Sequence, residues 1–150
     1  MALQKKVKIM TYEEALAGIH SRRTFSGGGP TLDRIRRLMD ALGNPQEQLK
    51  VVHIAGTNGK GSVSAMTAAA LEACGYRVGL FTSPYLVEFR ERIRIGGENI
   101  SEHDLISCYE TVMAAETALE QQSFEPVNEF ELVTAMGFLA FARAKVDYAV

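Results

Sequence analysis

A glycine-rich turn holds the residues of this sequence that are best suited to chemistry. It reads Gly-Thr-Asn-Gly-Lys-Gly-Ser over residues 56–62, between an apolar run at 51–55 and a proline-free, alanine-rich stretch at 60–74. These flanks predict a buried strand and then a helix. Backbone N–H groups and the positive end of the helix dipole converge at such a junction, which favours binding of a phosphate chain.

Two side chains of this turn strengthen the prediction of a nucleotide site. Lys60 supplies a mobile positive charge, and Ser62 supplies a hydroxyl that can reach a phosphate oxygen or a metal ion. The turn departs from the standard G-x-x-x-x-G-K-[ST] loop, because Gly61 separates the lysine from the serine. The alternative is a glycine-rich turn with a surface lysine. We predict a catalytic role for Lys60, and the predicted nucleotide-binding residues are Thr57, Asn58, Gly59, Lys60, Gly61 and Ser62.

Several pieces of the chain, taken in order, resemble the folylpolyglutamate synthase/dihydrofolate synthase family of the Mur ligase superfamily. The glycine-rich turn resembles the ATP loop of that family. Further matching segments are Gly-Asn-Pro at 43–45, Thr-Ser-Pro-Tyr-Leu at 82–86, Glu-Arg-Ile at 91–93, Ile-Ser at 100–101 and Phe-Glu-x-x-Thr-Ala at 130–135. The resemblance runs from about Tyr12 to the last residue.

The pattern of elements and the resemblance lead to one fold class. A strand, a helix and a second strand between residues 51 and 81 predict a right-handed βαβ unit, and therefore a parallel sheet covered by helices. The resemblance implies an α/β fold with three layers, a P-loop-type, mostly parallel sheet flanked by helices, as in a Mur-ligase central domain. We expect residues 1–150 to form an ATP-binding domain, with a helical lead-in at 1–45 and a P-loop α/β core at 46–150.

Local signals place the other elements. Thr11 and Glu14 form a capping box that opens a helix, and Ser101 with Asp104 opens another. Gly43 ends a helix that begins at residue 31 or 32. The predicted helices cover about residues 12–20, 31–42, 60–74, 101–121 and 128–145, with loops at 24–30 and 122–127 and strands at 51–55, 77–81 and 146–150.

Metal-binding residues are expected where the second strand ends. Ser83 follows that strand, and adjacent parallel strands lie about 5 Å apart with ligands collecting at their carboxyl ends. We therefore expect Ser83 close to the phosphate loop. The resemblance implies that Ser83 binds Mg²⁺, and the hydroxyl of Ser62 is the second candidate. The alternative for Ser83 is a turn-forming residue before Pro84.

Substrate-binding residues come from the resemblance. Residues 84–94 resemble the loop that closes over the pteridine in that family, where Tyr85 replaces the more usual histidine while still offering a stacking face. Asn128 and Thr31 align with folate-contacting positions. Tyr85 can equally be a half-buried loop aromatic. We favour Asn128 as the N-cap of its helix, and we expect His53 to be packed within the first strand.

The reaction implied by the resemblance is ATP-dependent addition of L-glutamate to folate or dihydropteroate through an acyl phosphate, with Mg²⁺ on the phosphates. Such phosphoryl transfer depends on positioning and charge neutralisation. The alternatives are a Mur-type peptidoglycan amino-acid ligase and a nucleotide-binding module without turnover. A P-loop kinase or GTPase would need the regular G-K-[ST] order and a carboxylate at a strand end, and the sequence shows neither.

Composition narrows the class of protein. The net charge of −2 gives no electrostatic reason for nucleic acid or an acidic membrane as a partner. Two cysteines fit a reduced protein without a disulfide framework, and the sequence has no signal peptide and no bilayer-spanning apolar run. We expect a cytoplasmic protein that is monomeric at full length. The chain stops within a strand pattern at 146–150, so we also expect a fragment that lacks ligase activity alone.

Overall fold

The computed structural model describes residues 9–22, 32–121 and 124–150. Its helices are α1 (Tyr12–His20), α2 (Asp33–Ala41), α3 (Lys60–Ala73), α4 (Glu102–Glu120) and α5 (Glu129–Arg143). Its strands are β1 (Val78–Phe81), β2 (Ile93–Ile95), β3 (Glu98–Asn99) and β4 (Tyr148–Ala149). Short 3₁₀ turns lie at Pro45–Gln48 and Phe89–Arg92. The α/β class is confirmed, whereas the predicted loop at 24–30 lies outside the described residues.

The predicted helix starts are confirmed by their caps. Thr11 and Glu14 form the capping box of α1, and the hydroxyl of Ser101 accepts a hydrogen bond from the backbone N–H of Asp104 at the start of α4. Asn128 is the N-cap of α5, where its side chain accepts from the N–H of Glu131. Each of these contacts spans three residues, so the local sequence is enough to define it.

The sheet has the order β3-β2-β1-β4 and combines parallel and antiparallel pairs. β1 and β4 are parallel, with Val78 opposite Tyr148, while β2 pairs antiparallel with both β1 and β3. Residues 51–55, expected as a buried strand, make one parallel bridge from Val51 to Ala149. Val51 is 51 % exposed. The prediction of a full strand is wrong because β4 offers this segment only a two-residue partner.

The expected adjacency of the first two strand segments is also wrong. β4 lies between residues 51–55 and β1, because Ala149 pairs with Val51 on one side and with Gly79 on the other. A segment from the far end of the sequence is thus inserted between them. Such insertion cannot be read from the local βαβ pattern, which fixes handedness but not the strand order.

Helices cover both faces of the sheet and form three layers. Val78 and Leu80 of β1 face α3, where they pack with Ala68 in a small apolar cluster. The intervening positions, Gly79 and Phe81, face α5. Most of the buried apolar side chains lie on the α5 side, between α1, α2, α4, α5 and the sheet. The two faces of β1 therefore fix α3 and α5 on opposite sides of the strand.

Two glycines allow α5 to approach β1 closely. A Cβ added at Gly137 would lie 2.8 Å from the Phe81 ring, and one added at Gly79 would lie 2.5 Å from the Phe141 ring. Each glycine thus accommodates an aromatic ring from the opposite element. Because α5 carries cavity-lining residues, this contact also sets the distance across the candidate site described below.

Replacing Gly137 with alanine is expected to destabilise the fold. Overpacking against Phe81 costs roughly 1–3 kcal/mol, which exceeds the gain of about 1 kcal/mol from helix propensity. We expect a fall in Tm of a few degrees (about 2–4 °C per kcal/mol) in thermal unfolding followed by circular dichroism. Gly61→Ala is the matched control, because nothing beyond its chain neighbours and its own helix backbone lies within 4 Å of the added Cβ there. Equal Tm changes in the two variants would contradict this packing argument.

Candidate functional site

The glycine-rich turn leads into the N-terminus of α3, where no side chain caps the helix. Gly59 adopts a left-handed conformation (φ +76°) as the N-cap of α3, and the first turn of this 14-residue helix contains no acidic residue and no side-chain cap. In the first backbone hydrogen bond of the helix, the Val63 N–H donates to the Gly59 carbonyl oxygen at 2.9 Å. The N–H groups of Gly61 and Ser62 therefore have no acceptor within the helix and are available to an anion.

Lys60 lies across the turn. Its Nζ donates to the carbonyl oxygens of Gly56 at 2.6 Å and Thr57 at 3.3 Å. All residues from 55 to 62 are exposed, so the ammonium group and the free N–H groups face the same open region. This arrangement concentrates positive potential at one place without a neighbouring carboxylate in the first turn.

A cavity of about 400 Å³ opens beside this turn. Lys60, Gly61 and Ser64 form one wall, and Thr82 with Ser83 after β1 forms another. The structure thus brings Lys60 and Ser83 to the same cavity, as expected, although β4 separates the two backbone segments. The proximity follows from a shared sheet edge and not from direct strand pairing.

Aromatic residues line much of the remaining wall. Phe130, Thr134 and Phe138 project from one face of α5, and Phe81 and Phe141 complete the apolar part of the cavity. Phe130, in the first turn of α5, is 57 % exposed. The site residues predicted from the sequence do not include Phe130, Thr134 or Phe138. Their spacing of four residues in a predicted helix was the available signal.

His53 also lines this cavity, and its side chain is exposed. The expectation that His53 is packed within a buried strand is therefore wrong. The reason is the short pairing of residues 51–55, which leaves the segment beyond Val52 without strand neighbours among the described residues.

A buried arginine lies behind Ser83. Arg92 is 6 % exposed, and it donates to Ser83 Oγ at 3.5 Å and to Glu129 Oε1 at 3.3 Å. Its guanidinium also lies 5.4 Å from the centre of the Phe89 ring. Burial lowers the pKa of Arg92 from its ordinary value, and the nearby Glu129 carboxylate opposes that shift. The Ser83 side of the cavity is therefore connected to the first turn of α5 through one cation.

The loop after Ser83 is held by a single carboxylate. Glu91 accepts hydrogen bonds from the backbone N–H groups of Leu86, Val87 and Glu88 at 2.7, 3.1 and 3.1 Å. These bonds, that from Leu86 first, lower the pKa of Glu91 from its ordinary value. The side chains of Leu86 and Val87 are 90 % and 87 % exposed. The backbone is thus fixed while its apolar side chains face outward.

Glu91→Gln is expected to release this loop, because an amide offers one oxygen where the carboxylate offers two. Since the folded-state pKa of Glu91 is lowered, its contribution is present above the unfolded-state pKa and is lost as pH falls through the folded-state pKa. The protection factors of the amides of residues 86–88, which are exchange rates compared with the intrinsic rate at the same pH, should fall in Glu91→Gln at neutral pH and in the wild type under acid conditions. Glu98→Gln, at an exposed carboxylate, is the control. Unchanged exchange in Glu91→Gln would contradict the role given to Glu91.

Two of the predicted substrate-binding residues, Tyr85 and Asn128, lie apart from the cavity wall. The Tyr85 ring is 39 % exposed and packs edge-on against Phe89 at 5.8 Å, outside the set of residues that line the cavity. Asn128 is the N-cap of α5, as favoured, and its side-chain oxygen accepts from Glu131 N–H at 2.9 Å. Thr31 lies outside the described residues. Of the predicted residues, the cavity wall contains Lys60, Gly61 and Ser83.

The described part of the chain contains no group of three or more His, Cys, Asp or Glu residues that could hold a metal ion. The candidate ligands near the phosphate loop are the hydroxyls of Ser62 and Ser83. In the same described ranges, no helix combines the length and the apolar character that crossing a bilayer requires.

Comparison with known proteins identifies relatives over nearly all of the chain, although no protein-family model matches it. The dihydrofolate synthase/folylpolyglutamate synthase of Bacillus subtilis (strain 168) is 41% identical over 140 residues, covering 93% of this chain and 32% of that protein. The folylpolyglutamate synthase of Lacticaseibacillus casei is 44% identical over 142 residues, covering 94% of this chain and 33% of that protein.

A solved FPGS–AMPPCP–folate complex has the same fold, with a TM-score of 0.88 and 44% identity over 94% of this chain and 34% of that one. The chain thus spans about a third of the length of the relatives that it matches. Over almost its entire length, this chain is therefore homologous to folylpolyglutamate synthase/dihydrofolate synthases, and it shares the Mur-ligase-like α/β fold of the matching third of them.

Proposed function

We propose that this chain is the part of an ATP-dependent glutamate ligase that binds the nucleotide phosphates and one face of a folate or dihydropteroate. The main support is that one cavity has Lys60 and the free N–H groups of α3 on one wall and Phe130 on another. A relative with the same fold forms a complex with AMPPCP and folate together. The proposed reaction joins ATP, a folate or dihydropteroate carboxylate and L-glutamate, and yields ADP, phosphate and an amide.

The proposed chemistry needs charge neutralisation on the phosphates. A carboxylate must first become an acyl phosphate, because its oxygen is a poor leaving group toward an amine. The phosphoryl group then carries negative charge that positioned donors can stabilise. The N–H groups of Gly61 and Ser62 would hold the phosphate chain, and Lys60 would exchange its carbonyl partners, Gly56 and Thr57, for phosphate oxygens.

Mg²⁺ fits the oxygen donors near the turn. This ion takes oxygen ligands and keeps several waters, and in phosphate loops a Ser or Thr hydroxyl binds it together with substrate phosphates. The exposed hydroxyls of Ser62 and Ser83 are of that type, and Ser83 lies on the same cavity as Lys60. When bound, the ion would supply further neutralisation of the phosphate charge. The guanidinium of Arg92, 3.5 Å from Ser83 Oγ, would hold that hydroxyl in place.

The flat heterocycle of folate or dihydropteroate would lie against apolar side chains. Phe130 presents a half-exposed ring to the cavity, and an aromatic face stacks well on a planar ring system. The loop that carries Tyr85 and the exposed Leu86 and Val87 would cover the opposite side. Roles for Tyr85, Asn128 and Thr31 in substrate binding stay predictions, as do the cytoplasmic location and the monomeric state at full length.

Phe130→Ala is expected to weaken folate affinity by about tenfold, which corresponds to the loss of roughly 1.4 kcal/mol of stacking and burial. The measurement is calorimetric titration of folate in the presence of Mg²⁺ and AMPPCP. Met66→Ala is the matched control, since Met66 is a similarly exposed apolar residue of α3 outside the cavity. Unchanged folate affinity in Phe130→Ala would remove Phe130 from the proposed site.

The proposed function is tested with a chimaera in which this chain replaces the matching third of the Lacticaseibacillus casei enzyme. We expect the chimaera to incorporate labelled L-glutamate into tetrahydrofolate or dihydropteroate, and the 150-residue chain alone to bind AMPPCP without turnover. A folded chimaera that binds AMPPCP but does not incorporate glutamate would contradict the proposed function. Preference for a muramoyl-peptide substrate would instead favour a Mur-type ligase.

A further inference from the structure

A buried ion pair lies outside the site, between α1 and α4. Arg22, just after α1, donates to the two carboxylate oxygens of Glu116 at 2.8 and 2.5 Å in a bidentate pair. The Glu116 side chain is 2 % exposed and that of Arg22 is 14 % exposed. The two residues are 94 positions apart in the sequence. The proposed chemistry gives this pair no role.

Both members of the pair bind the same backbone residue. Glu116 Oε1 accepts the N–H of Val127 at 2.8 Å, and Arg22 Nη1 donates to the Val127 carbonyl at 3.3 Å. Val127 is itself buried, at 2 % exposed. The ion pair therefore satisfies the N–H and the C=O of one peptide segment, in the way that a neighbouring β-strand would.

Val127 stands immediately before the N-cap of α5. The next residue, Asn128, forms the capping box with Glu131, and Phe130 lies in the same first turn. The direction in which this turn leaves Val127 determines where the Phe130 ring lies in the cavity. A displacement of the Val127 backbone would move Phe130 with it.

Stability alone does not account for this pair. Replacing a buried ion pair by packed apolar residues is often neutral or stabilising, because desolvation of two charges offsets their attraction. The hydrogen bonds to Val127 are what an apolar pair could not supply. The ion pair is thus better explained by its fixing of the Val127 backbone than by a gain in folding free energy.

We propose that Arg22 and Glu116 are positioning residues that set the first turn of α5 and thereby the orientation of Phe130 in the substrate cavity. The inference rests on the proposed function for the identity of the ligand. It assigns the site a support outside the cavity wall, since neither Arg22 nor Glu116 lines the cavity.

The decisive variant is the double substitution Arg22→Met with Glu116→Leu, which keeps an apolar, filled core but removes both bonds to Val127. We expect a cooperative fold with a Tm within a few degrees of the wild type. In two-dimensional NMR, hydrogen exchange at the Val127 amide should accelerate at least tenfold and the Phe130 ring resonances should shift. By calorimetry, folate affinity should fall about tenfold, while AMPPCP affinity should stay within twofold.

A rescue variant separates positioning from loss of charge. Arg22→Met with Glu116→Gln returns one neutral acceptor for the Val127 N–H, so we expect slower amide exchange and recovery of most of the folate affinity. Unmoved Phe130 resonances in the double apolar variant would overturn the inference, as would an equal fall in folate and AMPPCP affinity. Failure of the wild-type chain to bind folate would contradict the proposed function instead, and the Phe130 resonances would still decide the positioning role.

Discussion

Lys60→Ala is expected to weaken binding of Mg²⁺ and AMPPCP by about ten- to a hundredfold. Hydrogen bonds to charged groups contribute roughly 1.5–3 kcal/mol, and 1.4 kcal/mol corresponds to a tenfold change in affinity. The ammonium group is already placed over the turn by its bonds to the Gly56 and Thr57 carbonyls, so little rearrangement is needed to reach a phosphate. In the chimaera, turnover should fall by orders of magnitude, because the same charge is needed more strongly as the phosphoryl group transfers.

Lys50→Ala is the control for this change. Lys50 lies beside the ring of Tyr148, and it is outside the residues that line the cavity. The control should retain AMPPCP affinity within twofold, although it removes the same charge from the chain. Near-normal affinity and near-normal turnover in Lys60→Ala would overturn the role that we assign to Lys60.

Gly61→Ala is expected to change stability and binding in opposite directions. Gly61 lies in the first turn of α3. Apart from its chain neighbours and the backbone of its own helix, nothing lies within 4 Å of an added Cβ, and no left-handed φ requires glycine there. Alanine should therefore raise helix stability by up to about 1 kcal/mol. The residue lines the cavity, so the new methyl group would meet the phosphate chain, and we expect AMPPCP affinity to fall at least tenfold.

Gly137→Ala is expected to lower the stability of the fold without weakening nucleotide binding. The methyl group added on α5 clashes with Phe81 of β1, so the substitution should lower Tm while leaving AMPPCP affinity unchanged at a temperature well below unfolding. Thermal unfolding and calorimetry on the two variants together separate packing from ligand contact. Equal AMPPCP affinity in Gly61→Ala and the wild type would show that no phosphate approaches this glycine.

Local features of this structure could be predicted from the sequence because their causes lie within a few residues. The capping pairs Thr11 with Glu14 and Ser101 with Asp104 define helix starts through hydrogen bonds across three positions. The glycine-rich turn is equally local, since the conformation of Gly59 and the start of α3 follow from seven consecutive residues.

Features that depend on distant pairing could not be predicted in this way. The insertion of β4 beside Val51 depends on a segment about a hundred residues away, and so does the bond pattern of Arg22 with Glu116. Phe130 illustrates a related limit. A helical pattern shows which positions share a face, but the surroundings of that face depend on how the helix packs.

Ser83 shows how a correct location can rest on an incomplete argument. The βαβ pattern predicts Ser83 beside the phosphate loop only if the two strand segments are direct neighbours. In the structure these segments lie on either side of β4, and Ser83 still lines the cavity because all three backbone segments end at the same sheet edge. The general rule that ligands collect at the carboxyl ends of strands was sufficient.

The most direct test of the central claim is an NMR titration of the ¹⁵N-labelled chain with AMPPCP in the presence of Mg²⁺. We predict that the largest amide shifts occur at residues 59–62, and that Lys60→Ala and Gly61→Ala both shift the titration to higher nucleotide concentration. Saturable binding with the largest shifts elsewhere, and with the amides of residues 59–62 unmoved, would contradict the assignment of this helix N-terminus as the phosphate site.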